Sequence, residues 1–142
     1  MKKITALLLF TLPFIFSVSQ TNVSGGIYSN ATWTLVNSPY IVTDTVVVFP
    51  GVTLTIQAGV VVKFSDSTRL EIRQAELIAL GTATDSITFT SNSLTPYPAI
   101  WRDIYLNGGN FQSKFTYCNF RYGFVAINDY TSTDTLILNN SI

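Results

Sequence analysis

The chain contains no histidine, only one cysteine, Cys118, and few charged residues. Without histidine it cannot build a Ser–His–Asp triad, a Cys–His pair or the usual zinc sites. Charged residues make up 11% of the 142 positions and the formal net charge is 0, so no basic surface favours nucleic acid. A lone cysteine also excludes an internal disulfide, and we interpret Cys118 as a small, partly buried side chain.

Short apolar runs, separated by Gly, Pro, Asp, Ser or Thr, fill the middle of the chain between Thr45 and Ser91. They are rich in Val, Ile, Thr and Phe, and several alternate apolar with polar residues, which is typical of β-strands with one buried face. The gaps are too short for crossover helices. We therefore predict six strands, at Val46–Phe49, Thr53–Ile56, Val60–Phe64, Arg69–Ile72, Glu76–Ala79 and Ile87–Thr90.

The first three runs correspond to the next three at a period of roughly two dozen residues, which is typical of solenoids. The correspondence aligns Val46 with Arg69, Thr53 with Glu76 and Phe64 with Phe89. We therefore predict that Phe64 and Phe89 stack in successive coils. Three strands per repeat predict an all-β fold, a three-sided parallel β-helix. Its core would hold Val62, Phe64, Leu70, Ile72, Ile87 and Phe89. A β-sandwich fits the short strands but not this correspondence, and a propeller needs blades of about 40–50 residues.

Residues 1–19 have the pattern of a secretory signal peptide. Lys2 and Lys3 precede the apolar run Ile4–Phe16, and Ser17–Ser19 offers small residues for cleavage before Gln20. The alternative is a membrane anchor, but the run is short for a span of about 20 residues. We predict a protein that is secreted or held at the cell surface, with no membrane span after cleavage.

Turn residues and two short apolar segments in residues 20–44 indicate an N-terminal cap, because the first open edge of a solenoid must be covered. Residues 45–142 then supply the coils. The chain stops at Ile142, just after an apolar run, without a polar cap. We therefore expect an incomplete solenoid that continues beyond residue 142.

Residues 92–102 interrupt the strand pattern with a loop containing Pro96 and Pro98, which cannot join a strand ladder. Insertions in solenoids form loops on one face, often the binding face. Tyr97, Trp101 and Tyr105 cluster in and after this loop. An exposed row of aromatic rings can stack on sugar rings, so we nominate these three as candidate ligand-binding residues. The alternative is that these aromatic side chains pack the insertion onto its coil.

Four segments give the chain a resemblance to a known group, namely Val52–Phe64, Leu77–Thr82, Ile87–Ser91 and Trp101–Ile104. They resemble secreted right-handed parallel β-helix proteins of Gram-negative bacteria, whose fold is similar to that of pectate lyases. Many such proteins carry a C-terminal type IX sorting domain. The resemblance implies a right-handed solenoid and an extracellular location.

Two positions depart from the pattern of this group. Gln57-Ala58 stands where the group usually has Glu-Pro, and Arg73-Gln74 stands where it has Arg-Gly. Lyases of this fold use clustered acids with calcium and a basic residue as proton abstractor. Arg69, Arg73 and Arg102 are the basic residues that could be nominated here, but none lies in a motif of the catalytic families, so we assign no catalytic residue.

The acidic residues also give no catalytic signature. The eight acids are Asp44, Asp66, Glu71, Glu76, Asp85, Asp103, Asp129 and Asp134. No adjacent pair suggests the two carboxyl groups of a glycosidase, and solvated outward positions account for all of them. We therefore predict no metal and no cofactor.

Three functions are compatible with the sequence. The first is a non-catalytic extracellular scaffold or adhesin that contacts polysaccharide or a cell-surface glycan. The second is the N-terminal part of a polysaccharide lyase or glycoside hydrolase whose active site lies beyond residue 142. The third is a purely structural stalk. The sequence favours a non-catalytic role for this segment, because a chain without histidine cannot build several common catalytic sites.

Overall fold

A computed structural model describes residues 20–108, 111–130 and 135–142. The chain in these ranges forms an all-β parallel solenoid of about five turns, as the sequence predicts. The predicted signal segment, residues 1–19, and Asp134 lie outside the described residues. Within the described part, no helix is long and apolar enough to cross a membrane.

The described residues contain thirteen strands and one short 3-10 helix. Their bounds are β1 Thr21–Ile27, β2 Ala31–Trp33, the 3-10 helix Leu35–Asn37, β3 Tyr40–Val48, β4 Thr53–Ile56, β5 Val61–Phe64, β6 Leu70–Arg73, β7 Glu76–Leu80, β8 Ile87–Ser91, β9 Ile104–Asn107, β10 Gln112–Thr116, β11 Cys118–Phe120, β12 Ile127–Asp129 and β13 Thr135–Asn139. Neighbouring strands pair in parallel, so each coil stacks directly on the previous one.

The strands form three faces. The first face stacks β2, β4, β7, β10 and β13 in that order. The long strand β3 bends across a corner, because Tyr40–Val42 pairs with β5 whereas Val46–Val48 pairs with β6. The second face therefore continues from β5 to β8 and β11, and the third continues from β6 to β9 and β12. This arrangement confirms the predicted three strands per coil.

The leader of the chain contributes a coil of its own. Strand β1 divides like β3, with Thr21–Val23 on the second face and Gly25–Ile27 on the third. Strand β2 pairs in parallel with β4 on the first face. The proposed boundary between cap and coils, after residue 44, therefore falls inside β3.

The register agrees with the sequence alignment on one face and differs on the other two. Thr53 pairs with Glu76 as predicted. Val46 pairs with Leu70, one residue beyond the predicted Arg69. Phe89 pairs with Val62, and Phe64 pairs with Ser91, because the turn between β7 and β8 is longer than the turn between β4 and β5.

The predicted stacking of Phe64 on Phe89 is therefore wrong. The ring of Phe64 stacks on Trp101 with centroids 4.3 Å apart, and Phe89 stacks on Phe120 at 5.1 Å. Both phenylalanines are nevertheless fully buried. The six predicted core residues all lie in one hydrophobic cluster that runs through the stack, namely Val62, Phe64, Leu70, Ile72, Ile87 and Phe89.

One departure from the similar group has a visible structural consequence. Gln74 lies at the bend between β6 and β7 with φ of 45°, in the left-handed region that favours glycine. Its carbonyl accepts a hydrogen bond from the backbone N–H of Gly51 at 2.9 Å, which joins this bend to the equivalent bend of the preceding coil. The bend is thus retained although a side chain is present.

Candidate functional site

The inserted loop between β8 and β9 forms one wall of a groove of about 330 Å³. The turn between β5 and β6, one coil earlier, forms the other wall. The groove is lined by Ser65, Asp66, Asn92, Ser93, Thr95, Tyr97 and Ile100. It therefore combines hydroxyl, amide and carboxylate groups with one aromatic ring.

Backbone hydrogen bonds fix the two walls relative to each other. The N–H of Asn92 donates to the carbonyl of Phe64 at 2.8 Å, which extends the second face by one residue. The N–H of Ser67 donates to the carbonyl of Ile100 at 2.8 Å and so joins the turn to the loop. Both bonds hold the groove on the rigid stack rather than on a free loop.

Local bonds shape the loop itself. The N–H of Ser93 donates to the Oγ of Ser91 at 2.9 Å, and the N–H of Thr95 donates to the Oγ of Ser93 at 3.2 Å. Tyr97 follows in this loop, with 52% of its surface exposed, and lines the groove. Tyr97 is the one predicted ligand-binding residue that lines this groove.

Trp101 lies in the core and not on a binding surface. Its side chain is fully buried, it stacks on Phe64, and its Nε1–H donates to the carbonyl of Arg121 at 2.8 Å. Gly123 lies so close that an added Cβ would be 2.8 Å from the indole Cζ2. Trp101 therefore anchors the insertion in the core, which is the packing alternative for this residue, and its ring is not available to a sugar.

Tyr105 lies on the outer side of the third face, away from the groove lining. The guanidinium of Arg69 lies 4.5 Å from the centroid of its ring, and the ring of Tyr130 lies 6.1 Å away. Tyr97, Trp101 and Tyr105 are therefore in three different environments. They do not form a single exposed row, and the packing alternative holds for Trp101.

Arg69 and Asp103 form a bidentate ion pair on the third face. The Nε and Nη2 groups of Arg69 each donate to one carboxylate oxygen of Asp103 at 2.8 Å. The amide of Asn128, one coil further on, donates to the same carboxylate at 3.0 Å. Asp103 is only 4% exposed. Its charge is paired with Arg69 from the preceding coil, and Asn128 from the following coil donates a further hydrogen bond.

Glu71 is held in a similar way. Its Oε1 accepts hydrogen bonds from the Nε of Arg73 at 2.8 Å and from the amide of Asn107 at 2.9 Å. Burial alone would raise the pKa of Glu71. The hydrogen bonds from Arg73 and Asn107 and the charges of Arg73 and Arg69 outweigh burial and lower its pKa, so this carboxyl is held in its ionised form.

The expectation that all acids are solvated is therefore wrong for Glu71 and Asp103. Both side chains point away from the core, but long neighbouring side chains on the third face cover them. Sequence reasoning missed this pairing because Arg69 and Asp103 are separated by the insertion, so that their register cannot be read from the repeat. Arg69 and Arg73, two candidate bases, are each bound to a carboxylate.

Cys118 is buried on the second face, where its Sγ lies 3.6 Å from the carbonyl oxygen of Ala79. Burial raises the pKa of the Cys118 thiol to about 11, although the Thr116 backbone and the Ser141 hydroxyl act in the opposite direction. The reactive thiolate is therefore scarce at neutral pH. Within residues 20–108, 111–130 and 135–142, no three acidic, cysteine or histidine side chains are placed to hold a metal ion.

Comparison with known proteins gives no family for this chain. No protein-family model matches it, and no curated protein or solved structure matches it either.

Proposed function

We propose that this chain is a non-catalytic extracellular β-helix module that contacts carbohydrate through the groove beside Tyr97. The observation that carries the proposal is the lining of the groove, where hydroxyl, amide and carboxylate groups surround a half-exposed aromatic ring. Sugars present many hydroxyl groups together with apolar ring faces. A groove with a few placed polar groups and an aromatic surface matches both features.

The solenoid supports a scaffold or adhesin role for such a module. Its coils repeat at about 4.8 Å, the spacing of neighbouring strands, and repeat architectures present extended surfaces that suit repetitive partners such as polysaccharides. Arg69 and Arg73 on the third face are each paired with a carboxylate, and the Arg69–Asp103 pair joins two successive coils. These features favour contact with a glycan over its cleavage, and they suit a member of the secreted β-helix proteins that the sequence resembles.

Export through the signal segment is part of the proposal. The basic start, the apolar run and the small residues of Ser17–Ser19 support cleavage before Gln20. We expect N-terminal sequencing of the exported protein to give Gln20 as its first residue. A mature product that still begins with Met1 would contradict secretion by this route.

The glycan contact is tested by titrating the chain from residue 20 onward with the glycans that bind on an array. We expect Tyr97→Ala to weaken the Kd about tenfold. Loss of one aromatic contact costs up to about 1.5 kcal/mol, and about 1.4 kcal/mol corresponds to a factor of ten.

The matched control is Leu94→Ala, since Leu94 lies in the same loop, is 100% exposed and does not line the groove. It should leave the Kd unchanged. Binding that survives Tyr97→Ala would show that the groove is not the contact site. Release of new reducing ends from any bound glycan would refute the non-catalytic assignment.

A further inference from the structure

The charge of the groove specifies its ligand more narrowly than the proposed function does. Asp66 is the only charged side chain among the seven lining residues, and neither lysine nor arginine is among them. We propose that the groove selects uncharged sugar residues and discriminates against uronic acids and sulfated or phosphorylated sugars. This inference rests on the proposed function, because it concerns the same groove and the same class of ligand.

The Asp66 carboxylate is placed to accept hydrogen bonds from a ligand. Its Oδ1 accepts a hydrogen bond from the hydroxyl of Ser67 at 3.1 Å. Among the described residues, this is the only hydrogen bond that the carboxylate accepts. A carboxylate has two oxygens and about four acceptor positions. The remaining positions suit two neighbouring sugar hydroxyls, each donating to one oxygen of the exposed carboxylate.

The turn that carries Asp66 is fixed. The hydroxyl of Thr68 donates to the carbonyl of Ser65 at 2.8 Å, and the Thr68 side chain is buried. Ser67 adopts φ of 61° and ties the turn to Ile100. The carboxylate is therefore presented to the groove by a rigid backbone, so that little ordering is needed when a ligand binds.

Among the residues that the structure describes, Asp66 forms no ion pair. Arg69, three residues further on, is turned to Asp103 and forms a bidentate pair with it. An anionic sugar would bring a second negative charge beside Asp66 in a partly desolvated groove, where like charges repel more strongly than in bulk water. The hydroxyl and amide groups of Ser93, Thr95 and Asn92 are suited to neutral hydroxyls instead.

The test uses matched pairs of oligosaccharides that differ only in the group at C6. Gluco-, galacto- and manno-oligosaccharides are compared with the corresponding glucurono-, galacturono- and mannurono-oligosaccharides of equal length and linkage, by titration calorimetry at constant ionic strength. We expect the chain to bind the neutral member of its preferred pair at least about tenfold more tightly. Asp66→Asn keeps the shape of the side chain but removes its charge, and it should reduce the difference to less than about threefold.

Asp85→Asn is the control, because it removes the same charge from an exposed turn between β7 and β8 that does not line the groove. It should leave the preference unchanged. Equal or tighter binding of the acidic member, with binding still lost in Tyr97→Ala, would overturn the selectivity but keep the groove as a glycan site. Binding of neither member, or binding that ignores Tyr97→Ala, would overturn the proposed function and the selectivity together.

Discussion

Trp101→Ala is expected to lower the free energy of unfolding by about 3–5 kcal/mol, as for other large aromatic side chains removed from a packed core. Trp101 is fully buried, and it is among the largest fully buried side chains of the described residues. The substitution would remove its stack on Phe64 and its hydrogen bond to the carbonyl of Arg121. It would also leave a cavity under the insertion that forms one wall of the groove.

Urea unfolding of the chain from residue 20 onward measures this effect. Tyr97→Ala is the matched control, because it removes an aromatic side chain from the same segment. Tyr97 is 52% exposed, whereas Trp101 is fully buried. Surface substitutions of this kind usually change stability by less than about 0.5 kcal/mol. A comparably small loss for Trp101→Ala would mean that the indole does not lie in the core and could serve as a sugar platform after all.

The fold could be predicted because its signals are local. Alternation in Leu54–Ile56 and Val62–Phe64 identifies strands with one buried face, and the short gaps between runs exclude helical crossovers. The pairing of Thr53 with Glu76 could also be predicted. The step from Val48 to Thr53 is one residue longer than the step between their partners, Ile72 and Glu76. The three-sided solenoid thus follows from period and spacing alone.

The site was less predictable because it depends on contacts between distant segments. Tyr97 lies in the groove, but Ser65 and Asp66, which form the opposite wall, come from the preceding coil and carry no motif. The extra residues before β8 pair Phe89 with Val62 instead of Phe64. The ring of Phe64 stacks on Trp101 instead. Trp101 follows the same loop as Tyr97, but closeness in the chain does not reveal that its ring stacks on Phe64 in the core.

The ion pair on the third face was also hidden from the sequence. Arg69 and Asp103 precede β6 and β9, which stack directly on each other. The insertion of residues 92–102 separates the two residues in the chain, so the repeat period does not align them. Only the folded register shows that Asp103 is buried between Arg69 and Asn128.

Breaking this pair should have the second large effect on stability. Removal of one partner of a buried ion pair costs about 3–5 kcal/mol, because the other charge is left uncompensated. The Arg69 side chain is 16% exposed and can regain some hydration, so we expect Asp103→Leu to cost about 3 kcal/mol. Arg69→Met should cost at least as much, because it leaves the more deeply buried Asp103 carboxylate with the neutral amide of Asn128 as its remaining donor.

A double-mutant cycle distinguishes the pair itself from its separate side chains. Replacing both partners of a buried pair by apolar residues is often neutral or stabilising, so Arg69→Met combined with Asp103→Leu should be more stable than Asp103→Leu alone. We expect a coupling energy of at least about 1 kcal/mol from the four unfolding curves. Additivity within about 0.5 kcal/mol would mean that the two side chains act independently, and that packing rather than the ion pair holds these coils together.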